Sequence, residues 1–178
     1  MHALRQPQRL GDLINFRLQR CFAVSGAPVV RLLEGRYGIT RREWRLLATL
    51  TEHGPLSPSE LAEMALLDRA RTSRAIGLLL EKGLLRRQVH AADTRRAQLT
   101  LTDEGRQLHA EVFPKVAAIN SQMLDALDEP TLQILADAIA ALTARAEQLN
   151  ADLVRDVKAE RHSGGSRRVR GTRPGEST

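Results

Sequence analysis

The chain has 178 residues, of which 42% are apolar, 27% charged and only 3% aromatic, and it carries a formal net charge of +6. That supports one compact domain with an appended oligomerisation element, while the lack of a signal-peptide core and of any apolar run near the roughly 20 residues that span a bilayer predicts a cytoplasmic protein without membrane contact. Few aromatics argue against stacking on single-stranded bases, and five scattered histidines with a lone Cys21, no HExxH and no CxxC argue against a metal, a cofactor or an internal disulfide.

Residues 9–24 place Leu10, Leu13, Ile14, Leu18 and Phe22 at helical spacing. Gly26 and Pro28 predict a break or kink, followed by more helix to about Gly35. Thr40 reads as the N-cap of a helix with Glu43 at its third position and Trp44, Leu47 and Leu50 facing inward, and Gly54 ends it. Ser57, Pro58 and Glu60 supply an N-cap, a first-turn proline and a capping box, with Leu56 as the staple of a helix over 57–64. Across the short connector "ALLD", Asp68 caps a second helix that Gly83 stops. The segments 57–64 and 68–82 thus form a helix-turn-helix whose second helix is basic at its start. "LLRRQVH" and "AQLTLT" read as strands around the turn "AADTRR", a two-stranded wing over 84–101. Thr102 caps the next helix, with Asp103 and Glu104 in its first turn and Pro114 placed to bend it. The last helix, from Pro130, sets Leu132, Leu135, Ile139, Leu142, Ala146, Leu149 and Leu153 at alternating steps of three and four, a coiled-coil seam.

These elements predict a mainly α fold with a small β-wing. An N-terminal helix occupies 1–36, a winged helix-turn-helix domain 37–101, dimerisation helices 102–155 and a basic, glycine-rich, disordered tail 156–178. So small a domain leaves the seam uncovered, so a homodimer is expected with Leu10, Leu13, Leu132, Leu135, Ile139, Leu142 and Leu149 at its interface. Charge follows the same division: residues 68–100 hold eight basic and three acidic side chains, whereas 101–154 hold three and nine. A basic second helix and wing beside an acidic helical region separate a phosphate-facing surface from one that avoids nucleic acid. No nucleophile–base pair, phosphate-cradling glycine loop or ligand cluster marks an enzyme.

The most specific pattern is in the wing, where Asp93, Arg95, Leu101, Thr102 and Gly105 stand at D-x-R-x(5)-L-T-x-x-G spacing. Upstream stand Asp68, Arg69, Ser73, Arg74, Leu79 and Gly83, followed by Leu84. With these motifs the chain resembles the MarR family of bacterial transcription regulators over about residues 9–155. It departs from the family pattern at Thr94, where an arginine is common, at Thr72, where a small aliphatic is usual, and at Leu78 and Leu80, where charged side chains are frequent. The two leucines are expected to widen the buried face. The resemblance implies a winged helix-turn-helix homodimer that binds a pseudo-palindromic operator in double-stranded DNA, usually represses, and is often released by a small aromatic carboxylate or phenol, or by oxidation of a cysteine.

On that resemblance Arg69, Ala70, Arg71, Ser73 and Arg74, together with Ser57, face the major groove, where one bidentate arginine–guanine contact contributes about 1–3 kcal/mol of discrimination. Arg95 at the wing tip enters the minor groove, Asp93 steadies the tip through its backbone or an arginine, and Arg86, Arg87 and Arg96 anchor phosphates. Two recognition helices on a two-fold axis call for half-sites about 10 bp apart. An effector pocket is expected between the DNA-binding lobe and the dimer helices, with Arg17, Arg20, Trp44, Arg45 and His53 as candidate ligand residues. Trp44 is also expected in the core, Arg45 to bridge to a carboxylate, and His53 to mark a helix end. Cys21 opens a redox-sensing alternative. It comes late in its helix, with Tyr37 as the only tyrosine in the chain, and so reads rather as buried and inert. The other alternative is an architectural DNA-binding protein without an effector, relying on the basic tail.

Overall fold

The computed structural model describes residues 3–90 and 93–156, and for 89, 90, 93–96 and 154–156 it describes the backbone only. The tail expected to be disordered lies, after Asp156, outside the described residues. A short 3-10 turn, Leu10–Asp12, precedes α1 (Ile14–Tyr37), α2 (Arg41–His53), α3 (Pro58–Met64), α4 (Arg69–Glu81), β1 (Leu85–His90), β2 (Asp93–Leu101), α5 (Asp103–Leu124) and α6 (Glu129–Asp156).

The break expected at Gly26 and Pro28 does not occur, and α1 runs through both as one helix of 24 residues. Pro28 removes only the donor to the Val24 carbonyl, while Val29 and Leu33 beyond it pack into the core and hold the last turns in register. Gly26 has a different task. It is buried, and the flexible guanidinium end of Arg41 from α2 rests where a Cβ would stand. The helix ends at Gly38, whose φ of 63° is left-handed, with the Ile39 N–H donating to the Leu33 carbonyl at 3.2 Å.

Local signals set the following starts. The Thr40 hydroxyl accepts from the Glu43 N–H while the Glu43 carboxylate accepts from the Thr40 N–H, and Ser57 and Glu60 repeat the same box before α3. The Asp68 carboxylate accepts from the Ala70 and Arg71 N–H groups and opens α4. Between α3 and α4, Leu66 is forced to a positive φ of 52°, a conformation costly for a side chain bearing a Cβ.

The wing is antiparallel, with Leu85 opposite Leu101, Arg86 opposite Thr100 and Arg87 opposite Leu99, and its register shifts between Val89 and His90. Leu56, expected as a staple, also forms a bridge to Leu99 with bonds of 3.3 and 2.8 Å and so ties the start of α3 to the sheet. Thr102 joins wing and α5: its hydroxyl donates to the Gly83 carbonyl at 2.7 Å and accepts from the Gly105 N–H at 3.0 Å. Gly105 is required there, since a Cβ would meet the Leu84 carbonyl.

Leu33, Leu46, Leu47, Leu61, Leu79, Leu99 and Val112 are fully buried and define one core shared by α1–α5 and the wing. Leu78 does not widen that face; it is exposed, while Leu80 packs half-buried against the core. The chain divides into two compact units, Met1–Met123 and Leu124–Thr178. In the second, Asp128 accepts from the Thr131 N–H and begins α6, along which every side chain described is exposed except half-buried Leu132.

Candidate functional site

A helix advances about 100° per residue, which divides α4 into two faces. Thr72, Ala75, Ile76 and Leu79 form the buried stripe, and Arg69, Ala70, Arg71, Ser73 and Arg74 are all exposed. Opposite the buried stripe lie Ala70, Arg74, Gly77 and Glu81, with Ser73 beside them and Arg69 and Arg71 flanking on either side. Toward the N-terminal end of α4 that outer face is therefore small-sided apart from Arg74, which lets the backbone there come close to a partner. Among the described residues no ion pair is made by Arg69, Arg71 or Arg74, so their charges are available to an external anion. The inner face carries one anomaly: the Thr72 hydroxyl is buried with no hydrogen-bond partner among the described residues.

Ser57 is half-buried and engaged in its capping box, with its hydroxyl proton left to donate. Arg86 and Arg87 are exposed, but the strand period of two sends them to opposite faces of the ribbon. Arg86 lies with Thr100, to whose hydroxyl its Nε donates at 3.1 Å, and Arg87 shares the side of Leu85 and Leu99. Asp93, Arg95 and Arg96 belong to β2 by backbone, and their side chains lie outside those described.

The candidate ligand residues separate. Trp44 and Arg45 line a cavity of about 620 Å³ walled by α1, α2 and α5, with Phe22, Val29, Val116, Ile119 and Met123 as apolar lining. Arg17 and Arg20 lie instead at a depression of about 550 Å³ beside Arg9, Gly11 and Phe16. There the Arg17 Nε donates to the Gly11 carbonyl at 2.7 Å, and its Nη2 stands 3.8 Å from the Asp12 carboxylate. His53 ends α2, 3.8 Å from Glu52, and lines neither cavity. Cys21, expected buried, is exposed, because the first half of α1 turns little of its surface to the core of its own chain.

Arg41 was missed in the sequence. It lines the same cavity as Arg45, with its guanidinium 4.3 Å from the centre of the Phe22 ring. A basic residue in the first turn of a helix opposes the helix dipole, and that was the available signal. Arg45 bridges to no carboxylate among the described residues; its Nη1 donates to the Ala65 carbonyl at 3.4 Å. Burial lowers its pKa, and the like charges of Arg41 and Arg42 lower it further; an incoming anion would offset that repulsion. Trp44 is half-buried rather than fully in the core and stacks on His109 at 5.0 Å and 12°, with Phe113 tilted against both rings. Burial holds His109 below its ordinary pKa, partly countered by Glu52.

Comparison with known proteins bears on this arrangement. The sequence profile of the MarR family matches residues 37–96. The HTH-type transcriptional regulator FarR of Neisseria gonorrhoeae is 30% identical over 112 residues, which is 63% of this chain and 77% of FarR. The HTH-type transcriptional repressor MdtR of Bacillus subtilis is 29% identical over 144 residues, 81% of this chain and 92% of MdtR. Among solved structures, the PcaV transcriptional regulator of Streptomyces coelicolor, determined in complex with its natural ligand, superposes with a TM-score of 0.62 at 25% identity, covering 82% of this chain and 99% of PcaV.

Proposed function

The chain belongs to the MarR family of transcriptional regulators, and from that premise we propose that it represses as a homodimer on a pseudo-palindromic DNA operator and releases it when a small aromatic acid or phenol fills the α1–α2–α5 cavity. The observation that carries the DNA half is the outer face of α4, small-sided toward its N-terminal end and flanked by arginines that make no ion pair among the described residues. In the major groove, Ser73 and Arg74 read base edges, Arg74 contributing about 1–3 kcal/mol at a guanine. Arg69 and Arg71, on the flanks, meet phosphates of the two strands, as Arg86 and Arg87 do from the wing. Arg95 follows the wing tip into the minor groove.

The effector half rests on Arg41 and Arg45 in the lining of a mainly apolar cavity that also has an indole wall. An aromatic carboxylate offers a flat face to Trp44 and a negative group to the two guanidinia. The dimer rests on the exposed apolar side chains of α6 and of the segment leading into α1, including Leu10 and Leu13.

The test is binding of the purified protein to DNA flanking its own gene, against a scrambled duplex of equal length, across a salt series. A footprint centred on an inverted repeat that survives the competitor is expected. Equal, steeply salt-dependent binding to both duplexes would remove the operator and favour an architectural role.

A further inference from the structure

Glu43 is only 1% exposed, yet both its carboxylate oxygens are engaged. One accepts from the Thr40 N–H at 2.7 Å within the α2 capping box, and the other from the Lys82 ammonium at 2.6 Å. Lys82 also donates to the Gly38 carbonyl at 2.8 Å. Three element ends meet here: the left-handed cap of α1 at Gly38, the first turn of α2 at Glu43, and the C-cap of α4 at Lys82. Burial alone would raise the Glu43 pKa, but the hydrogen bonds from Lys82 and Thr40 outweigh it and hold the carboxylate below its usual range. Removing either partner leaves a buried charge or an empty cradle, so the contact resists small displacements.

We infer that Glu43 and Lys82 are positioning residues for operator recognition: their ion pair pins the C-terminal end of α4 to the α1–α2 corner and so fixes how its opposite end enters the groove. The lever is long. Thirteen helical residues span about 20 Å, so a tilt of about 5° about Lys82 displaces the Arg69 end by roughly 1.7 Å. Base-edge hydrogen bonds fail over such a distance, whereas attraction to phosphates barely changes. Because Arg41 and Arg45 lie on the same two turns of α2 as Glu43, the pair also joins the cavity wall to the recognition helix.

This inference rests on the operator reading, and the same duplexes test both. Glu43→Gln keeps an acceptor for the Thr40 N–H while removing the charge, and Lys82→Met keeps the aliphatic stem, so each variant isolates the ion pair. Affinity for operator and scrambled DNA is measured for the wild type, E43Q, K82M and the double variant, each checked for native helicity by circular dichroism. Each single change is expected to weaken operator binding about tenfold and scrambled binding less than about twofold, and the double change is expected to add little, as for two halves of one contact. The salt slope stays unchanged. A K82M loss shared by both duplexes, with the slope falling by roughly 0.9, would make Lys82 a phosphate ligand instead. Multiplying losses, or unchanged operator binding in E43Q and the double variant, would also overturn the inference, and the double variant relieves the unpaired carboxylate that K82M leaves behind. A wild type that fails to discriminate between the duplexes would bring down the operator reading and this inference with it.

Discussion

The helix-turn-helix lobe and α6 are both leucine-rich and helical, yet their side chains fare in opposite ways. In the lobe Leu47, Leu61 and Leu79 are wholly buried and the helix starts are closed by caps. On α6, Leu135, Ile139 and Leu142 remain 39%, 46% and 49% exposed although they recur at the spacing of a packed seam. The same heptad-like pattern thus serves two ends: where neighbouring elements of one chain supply the opposing surface, it builds a core, and where they do not, it leaves an exposed apolar stripe, the one on which the proposed dimer rests.

That contrast breaks most directly at the seam. Replacing Ile139 and Leu142 together by Glu removes two anchors that contribute about 1.5–3 kcal/mol each when buried. Sedimentation is expected to show the dimer dissociation constant raised about a hundredfold or more, with the lobe still folded; an unchanged dimer would place the interface elsewhere. In the lobe, Leu79→Ala should instead lower the unfolding free energy by about 2–5 kcal/mol in a urea titration, because the cavity it leaves lies inside a single chain.

Smaller effects probe how completely the lobe is satisfied. Thr72→Val replaces a buried hydroxyl that has no partner among the described residues, and a gain of about 1 kcal/mol is expected in the same titration; a loss would show that the hydroxyl is bonded. Leu66→Gly relieves a left-handed backbone at a side chain already 77% exposed, so a gain of about 0.5–1 kcal/mol is expected, read as a higher thermal midpoint. The weakest lever is pH. His109 has a lowered folded pKa, so the unfolded chain binds more protons just below the ordinary value near 6.5, and stability must fall as pH drops through 6.5 toward the folded value. Urea midpoints at mildly acidic and mildly alkaline pH should show that fall in the wild type and a reduced one in His109→Phe, which keeps the ring stack.

What was legible along the chain was whatever neighbours in sequence enforce. The caps at Thr40, Ser57 and Asp68 and the stop at Gly83 act within one turn, so the helix-turn-helix and the basic outer face of α4 could be read directly. Gly26 and Pro28 misled because their local preference for a break was outweighed by the packing of Val29 and Leu33 against helices distant in sequence. The same limit hid the site's wiring. Arg41 against Phe22, His109 against Trp44, and the division of the candidate ligand residues between two cavities depend on how α1, α2 and α5 cross.

The sequence by itself determined the elements after α1, their caps, the charge division and the exposed seam, because these follow from periodicity and bonds spanning three or four residues. Tertiary structure alone decided that Glu43 and Lys82, 39 positions apart, share a buried contact. Closing so long a loop yields nothing until the core formed by Leu33, Leu47 and Leu79 holds both ends in place, and no local pattern records where that core will bring them.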